Sequence, residues 1–200
     1  MKKLFSVLLL LGLMLFTLPG VTSAAGQADK PRVAVMYINN AKTTYDNEID
    51  QKVLSNLVQA INPQKYVYVE GTPYLEKLKK MGIVDLTTAE RADVVEVFEG
   101  EDIDYAVMLE INPFTRKEKV TFFTYGIDVT AVVPFRVIDL VNNKYLYNGR
   151  FDEKGSDSTP FGSIGNKSVA MKALKKINEQ VNAVLGSRLP TTRPLQQRSK

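Results

Sequence analysis

The chain has 200 residues, 44% of them hydrophobic, with 26 Lys and Arg against 22 Asp and Glu, a net charge of +4, no cysteine and no histidine. Without cysteine and histidine there is no disulfide, no thiol or Ser-His nucleophile and no ordinary zinc or haem site, so neither metal nor cofactor is expected and chemistry is left to carboxylates, lysines, tyrosines and hydroxyls. The positive charge belongs to the ends: without Lys2, Lys3 and the tail cations Arg188, Arg193, Arg198 and Lys200, 20 basic residues face 22 acidic ones, a balance that does not suit nucleic acid.

Lys2 and Lys3 precede an apolar run from Leu4 to Leu18, broken by Pro19 and Gly20 and followed by the small residues Thr22, Ser23, Ala24 and Ala25. This pattern predicts a secretory leader over residues 1–25 and a mature protein that is periplasmic or extracellular. The run is shorter than the roughly 20 apolar residues of a bilayer span, so an uncleaved N-terminal anchor is the lesser reading. With no cysteine, the leader cannot end in a lipobox.

A single domain is expected over residues 26–186, because a mature chain of this length can bury one ordinary core. Residues 32–38 (RVAVMYI) are apolar on both faces, as in a central strand covered on each side. After a polar loop, Asp46 is placed to cap a helix with Ile49, Val53, Leu54, Leu57, Val58 and Ile61 on one face, stopped at Pro63. Tyr66 to Glu70 reads as a short strand. Thr72 then caps a helix with Pro73 at its first position and Gly82 just past its end. Thr87 and Glu90 have the spacing of a capping box for a helix burying Ala92, Val95 and Phe98. Tyr105 to Ile111 and Ile127 to Asp139 alternate as strands, and Asn142-Asn143 predicts a tight turn into Lys144 to Phe151. A Ser/Gly/Pro-rich connection, Gly155 to Gly165, leads to a helix striped by Val169, Ala170, Ala173, Leu174, Ile177, Val181, Val184 and Leu185, ended by Gly186. Residues 187–200, with two prolines and no apolar period, predict a disordered basic tail.

The expected fold is therefore α/β (α+β): a mixed sheet with a βαβ-like start, three late antiparallel strands and a C-terminal helix packed on the sheet. In this order of elements the chain resembles the exported α/β domain of the curli-export lipoproteins, the N-terminal domain of TolB and the LpoB-type activators of penicillin-binding proteins. The resemblance is carried by residues 32–38, by residues 100–110 (GEDIDYAVMLE) and by residues 135–149 (FRVIDLVNNKYLYNG), where a strand ends in Asp139 before a tight turn and an aromatic strand. It implies a non-enzymatic binding or assembly module of the cell envelope acting through contacts with envelope proteins, with self-association compatible. Two departures limit it. The lipid-anchoring cysteine is missing, and residues 148–165 are too short and polar for the second membrane-spanning hairpin of an export pore.

Among candidate sites, residues 162–168 (GSIGNKS) read as a helix start capped by Asn166, not a phosphate loop, because Asn166 splits the Gly-Lys pair. Glu99, Glu101, Asp102 and Asp104 crowd one loop without the spacing of a calcium site. Glu110 and Asp128 are the best acid pair for the alternative function, a carboxylate-dependent hydrolase of wall glycan or peptide. The partner-binding candidates are Phe114, Arg116, Lys117, Lys119, Phe122 and Tyr125, in a connection that mixes aromatics with cations; Tyr145 and Tyr147, two residues apart, are expected to share one face of their strand and to extend the patch if that face is open. Phe122 and Phe123 open the next strand, and one of them is expected in the core. The tail is expected to be solvated, with weak contact to an anionic wall polymer or membrane surface as its other use.

Overall fold

The computed structural model describes residues 30–160 and 164–194; the expected leader, residues 161–163 and the last six residues lie outside that range. The described residues form six strands, β1 (Arg32–Asn39), β2 (Val67–Glu70), β3 (Tyr105–Ile111), β4 (Thr115–Val120), β5 (Tyr125–Asp139) and β6 (Lys144–Thr159). Four helices accompany them: α1 (Asp46–Ala60), α2 (Thr72–Lys80), α3 (Arg91–Val97) and α4 (Asn166–Arg188).

All six strands lie in one mixed sheet. β1 runs parallel to β2 on one side and to β3 on the other, so α1, α2 and α3 are crossover helices of the expected βαβ start. From β3 onward the chain meanders. β5 pairs antiparallel with β3 over Phe135–Asp139 and with β4 over Tyr125–Thr130, so that β3 and β4 lie end to end along one edge of β5. β6 follows the other edge of β5 along its whole length.

Two elements therefore differ from expectation. The connection over residues 114–125 is itself a strand and a turn, and the strand expected to stop at Phe151 runs to Thr159, taking in the first part of the expected loose connection. Both follow from the length of β5, which offers hydrogen-bonding partners on both edges over 15 residues.

Alternation on the central strands divides the core into two layers. Val33, Val35, Tyr105, Val107, Leu109, Ala131, Val133, Phe135 and Val137 face α1 and α4. Ala34, Met36, Ala106 and Met108 face α2 and α3, meeting Leu78, Val94, Val97 and Phe98. Each such side chain removed from water stabilises the fold by about 1.5–3 kcal/mol if it is a large aliphatic or aromatic one. A smaller cluster, Ile127 and Val129 against Val169 and Ala170, carries the core out along α4 to the β4 end of the sheet. Gly155 permits that packing, because a Cβ there would lie 1.9 Å from the Val169 carbonyl oxygen.

Several local expectations shift by a turn or less. Asp46 is the first residue of α1 and not its cap; its carboxylate accepts from the Thr43 amide and hydroxyl and shapes the preceding loop. Gly71 and Gly165 precede α2 and α4 where Thr72 and Asn166 were expected as caps. The capping box of α3 is Glu90 with Asp93, so Val94, Val97 and Phe98 are buried while Ala92 is exposed. Val58 is exposed on α1, and α4 continues through Gly186 to Arg188. Gly82 and Asn143 do adopt the positive φ expected of them.

The tail is packed further than expected. Leu189 is buried and its carbonyl accepts from the Tyr66 hydroxyl at 2.9 Å. Arg193 pairs with Asp102 and Asp104, so residues 189–193 lie on the body.

Candidate functional site

At the end of the sheet remote from β1 and β2, β4 and the first part of β5 form a hairpin whose turn is Thr121 to Thr124. The two threonines close it. The Thr121 amide donates to the Thr124 carbonyl at 2.9 Å, the Thr124 amide donates to the Thr121 hydroxyl at 3.0 Å, and the hydroxyls lie 2.7 Å apart. Phe122 and Phe123 occupy the apex, 95% and 79% exposed, with ring centroids 5.1 Å apart in an edge-to-face pair. Val120 beside them is 74% exposed. The expectation that one of the two phenylalanines joins the core is thus corrected: both fall in the turn, where none of the described residues forms a second layer above them.

Below the apex the hairpin is held by polar contacts on both faces. Opposed residues of antiparallel strands share a face, so Arg116, Glu118, Val120 and Tyr125 look toward the α4 side, and Lys117 and Lys119 toward the other. Arg116 donates to the Tyr125 hydroxyl at 2.9 Å and pairs with Glu118 at 2.6 Å. Lys119 and Lys154 approach Asp128 Oδ2 at 2.6 and 3.2 Å. Hydrogen bonds from Lys119, Ser156 and Lys154, with the Lys119 charge, hold the Asp128 carboxyl down to about 2, against a smaller opposing effect of burial. No partner is recorded for Lys117 among the described residues.

The other predicted residues lie elsewhere. Phe114 sits at the bend between β3 and β4, half-buried with Tyr45 against the core. Tyr145 and Tyr147 do not share a face. A bulge opposite Val137 and Ile138 turns Leu146 and Tyr147 to the α4 side, where Tyr147 stacks with Phe135 and Phe151. Tyr145 points to the opposite layer, under Arg91. Tyr147 pairs with Val137, twelve residues along β5 from Tyr125, about 40 Å at the rise of an extended strand. The two tyrosines therefore do not extend the hairpin patch.

Apart from Glu99, the acidic candidates are engaged by partners. Glu110 is buried and accepts from Asn40 Nδ2 at 2.9 Å and from the Thr87 amide at 3.2 Å. By register it stands opposite Pro134, six residues from Asp128 along β5, or about 20 Å. Glycosidase carboxyls stand about 5–10 Å apart. In the acidic loop, Glu101 pairs with Lys77, and Asp102 and Asp104 pair with Arg193. Among the described residues no group of three or more acids is placed to hold a metal ion.

Sequence reasoning missed Val120 and Lys154. The run Val-Thr-Phe-Phe-Thr-Tyr over residues 120–125 carried the signal for the first, because paired threonines around an apolar dipeptide, between alternating strands, suit a hairpin turn.

No protein-family model matches this chain, and no curated protein matches it. The chain is similar in structure to a homologue of the neuraminyllactose-binding haemagglutinin from Helicobacter pylori, at 8% identity over 80% of this chain and 86% of that one, with a TM-score of 0.46. It is also similar to the hypothetical protein CT253 from Chlamydia trachomatis, at 15% identity over 78% and 98% of the two chains, with a TM-score of 0.45. For the LpoB C-terminal domain from Salmonella enterica the identity is 10% over 70% and 89%, with a TM-score of 0.34. Likenesses of this degree concern the course of the chain and do not reach its chemistry.

Proposed function

We propose that this protein is an exported, non-enzymatic binding module of the bacterial cell envelope whose contact element is the β4–β5 hairpin. The observation that carries this reading is the apex, where Val120, Phe122 and Phe123 present three large apolar side chains to solvent on one stiffened turn. Three such residues together leave water unfavourably exposed to apolar surface, whereas the other large apolar side chains exposed among the described residues, Val58 on α1 and Met81 and Val84 after α2, include no aromatic ring. Export is supported by the leader pattern in residues 1–25. The hydrolase alternative is weakened because its two acids lie about 20 Å apart on the sheet, each already engaged by hydrogen-bonding partners.

The test is photo-crosslinking in living cells, with a benzophenone amino acid at position 122 and, as control, at exposed Glu179 on α4. Adducts specific to position 122 are expected, whether to protein or to lipid. Equal adducts at both positions, or none at 122, overturn the contact element. Purified protein incubated with wall glycan should release no fragments.

A further inference from the structure

We infer that the partner of the hairpin apex is the surface of a lipid bilayer carrying anionic headgroups, into which Phe122, Phe123 and Val120 insert as a shallow wedge. This rests on the hairpin being the contact element. Three observations favour a bilayer over a protein groove.

The first is layering along the hairpin. From the apex back come the rings of Phe122 and Phe123, the hydroxyls of Thr121 and Thr124, then Val120 on the α4 side opposite Tyr125, and behind it the cations Lys119, Lys117 and Arg116. Lys119 lies three residues behind Phe122, about 10 Å at the rise of a strand, and long side chains reach further. That order matches hydrocarbon, interface and phosphate in a monolayer, where interfacial segments sink about 5–10 Å. Among the described residues, the surface beside the turn on the Lys119 face is polar, lined by Thr121, Thr124, Asp128, Ser156 and Ser158, and gives a protein partner no apolar rim there to close around the rings.

The second is charge. Arg116, Lys117, Lys119 and Lys154 stand against Glu118 and Asp128, so this end of the sheet keeps an excess of two positive charges (4 − 2) after its ion pairs are made. Basic residues beside an inserted apolar group add attraction to an anionic leaflet. The third is the closure of the turn: the amides and hydroxyls of Thr121 and Thr124 are paired with each other, which lowers the cost of taking these groups, though not the backbone of Phe122 and Phe123, out of water. Insertion is limited in depth, since the six residues of β4 are fewer than the roughly nine to eleven a spanning strand needs.

The chain contains no tryptophan, so Phe122→Trp supplies a single reporter in the processed protein. With vesicles of phosphatidylglycerol and phosphatidylcholine in equal parts, its emission should shift to the blue and be quenched by lipids brominated in the acyl chain. Val84→Trp, exposed on the loop after α2, should do neither. Sedimentation with these vesicles should weaken at least about tenfold when Phe122 and Phe123 are both replaced by serine, and about as much with phosphatidylcholine alone. The thermal midpoint of the double variant should equal that of the parent.

The bilayer is overturned if the tryptophan at 122 stays in water, or if the double serine variant binds vesicles as well as the parent does. Adducts from position 122 confined to protein, without vesicle binding, would sink the bilayer and keep the contact element. Self-association that depends on Phe122 and Phe123, again without vesicle binding, would assign the apex to a second copy of the chain.

Discussion

Arg193 Nε lies 3.1 Å from Asp104 Oδ2, joining the end of the chain to a carboxylate that is 2% exposed at the start of β3. The same carboxylate accepts from the Arg32 amide at 2.7 Å, so one buried acid ties the first residue of β1 to the C-terminal segment. The segment read from composition as a free basic tail is, through Arg193, a structural strap.

Removing that strap should cost stability. Arg193→Ala should destabilise the protein by about 2–3 kcal/mol, near the low end for breaking a buried ion pair because the Arg32 amide still serves Asp104, and truncation after Arg188 should cost more, since it also removes buried Leu189 and the acceptor of the Tyr66 hydroxyl. Urea unfolding of the three proteins decides it; equal midpoints for all would mean that the strap is not bound in solution.

Acid should loosen the hairpin end of the sheet through Asp128. Its carboxyl is held at about 2 against an ordinary value of 3.8 by Lys119, Ser156 and Lys154. A depressed pKa contributes stability that is fully present above about pH 4 and is lost as the pH falls toward 2. Between these limits the urea midpoint of the parent should fall more steeply than that of Asp128→Asn. Parallel curves would show that the lysines do not engage Asp128 in solution.

Two glycines of the C-terminal half should respond in opposite directions. Gly155→Ala places a methyl group 1.9 Å from the Val169 carbonyl, which is helix backbone and can yield only if α4 moves. A loss of about 1–3 kcal/mol or more is expected from such overpacking. Gly186 lies within α4, exposed, with nothing near its missing Cβ. Gly186→Ala should stabilise by about 0.5–1 kcal/mol through helix propensity. Thermal melts of the pair test whether α4 continues past residue 186.

The tyrosines of β6 should likewise separate. Tyr147→Ala removes a ring stacked with Phe135 and Phe151 and should cost about 2–3 kcal/mol, less than a fully buried aromatic. Tyr145→Ala removes a ring beneath Arg91 and should cost about 1 kcal/mol. Equal small losses, with no change in near-ultraviolet dichroism, would contradict the bulge that puts them on opposite faces.

Much of the fold is legible along the chain. Apolar runs on two faces mark β1, and the alternation of residues 105–111 assigns each side chain to the layer it occupies. The periodicity of residues 169–185 marks the buried stripe of α4, and Asn143 before Lys144 marks the turn between the two longest strands. These features depend on neighbours within a few residues, where spacing and backbone preference act directly. The candidate hairpin was half legible: the mixture of aromatics and cations over residues 114–125 pointed to it, but its place as a strand and apex did not show.

What local pattern could not show is what lies above or beside a residue. Residues 115–120 (TRKEKV) carry almost no apolar signal, and they form a strand because β5 extends far enough to pair with them. Phe122 and Phe123 look like core residues by composition and are exposed because the chain reverses there, beyond the reach of α4. Tyr145 and Tyr147 have the spacing of a shared face until one bulge divides them. Arg193 sits in a polar, proline-rich stretch and is held because Asp104, 89 residues earlier, is buried with no other guanidinium bonded to it among the described residues. The sequence by itself determined most of the helices, strands and turns, through local periodicity; only the tertiary structure made a strand of residues 115–120, extended β6 to Thr159 and decided which side chains meet a partner, because pairing, register and burial depend on residues far away in the chain.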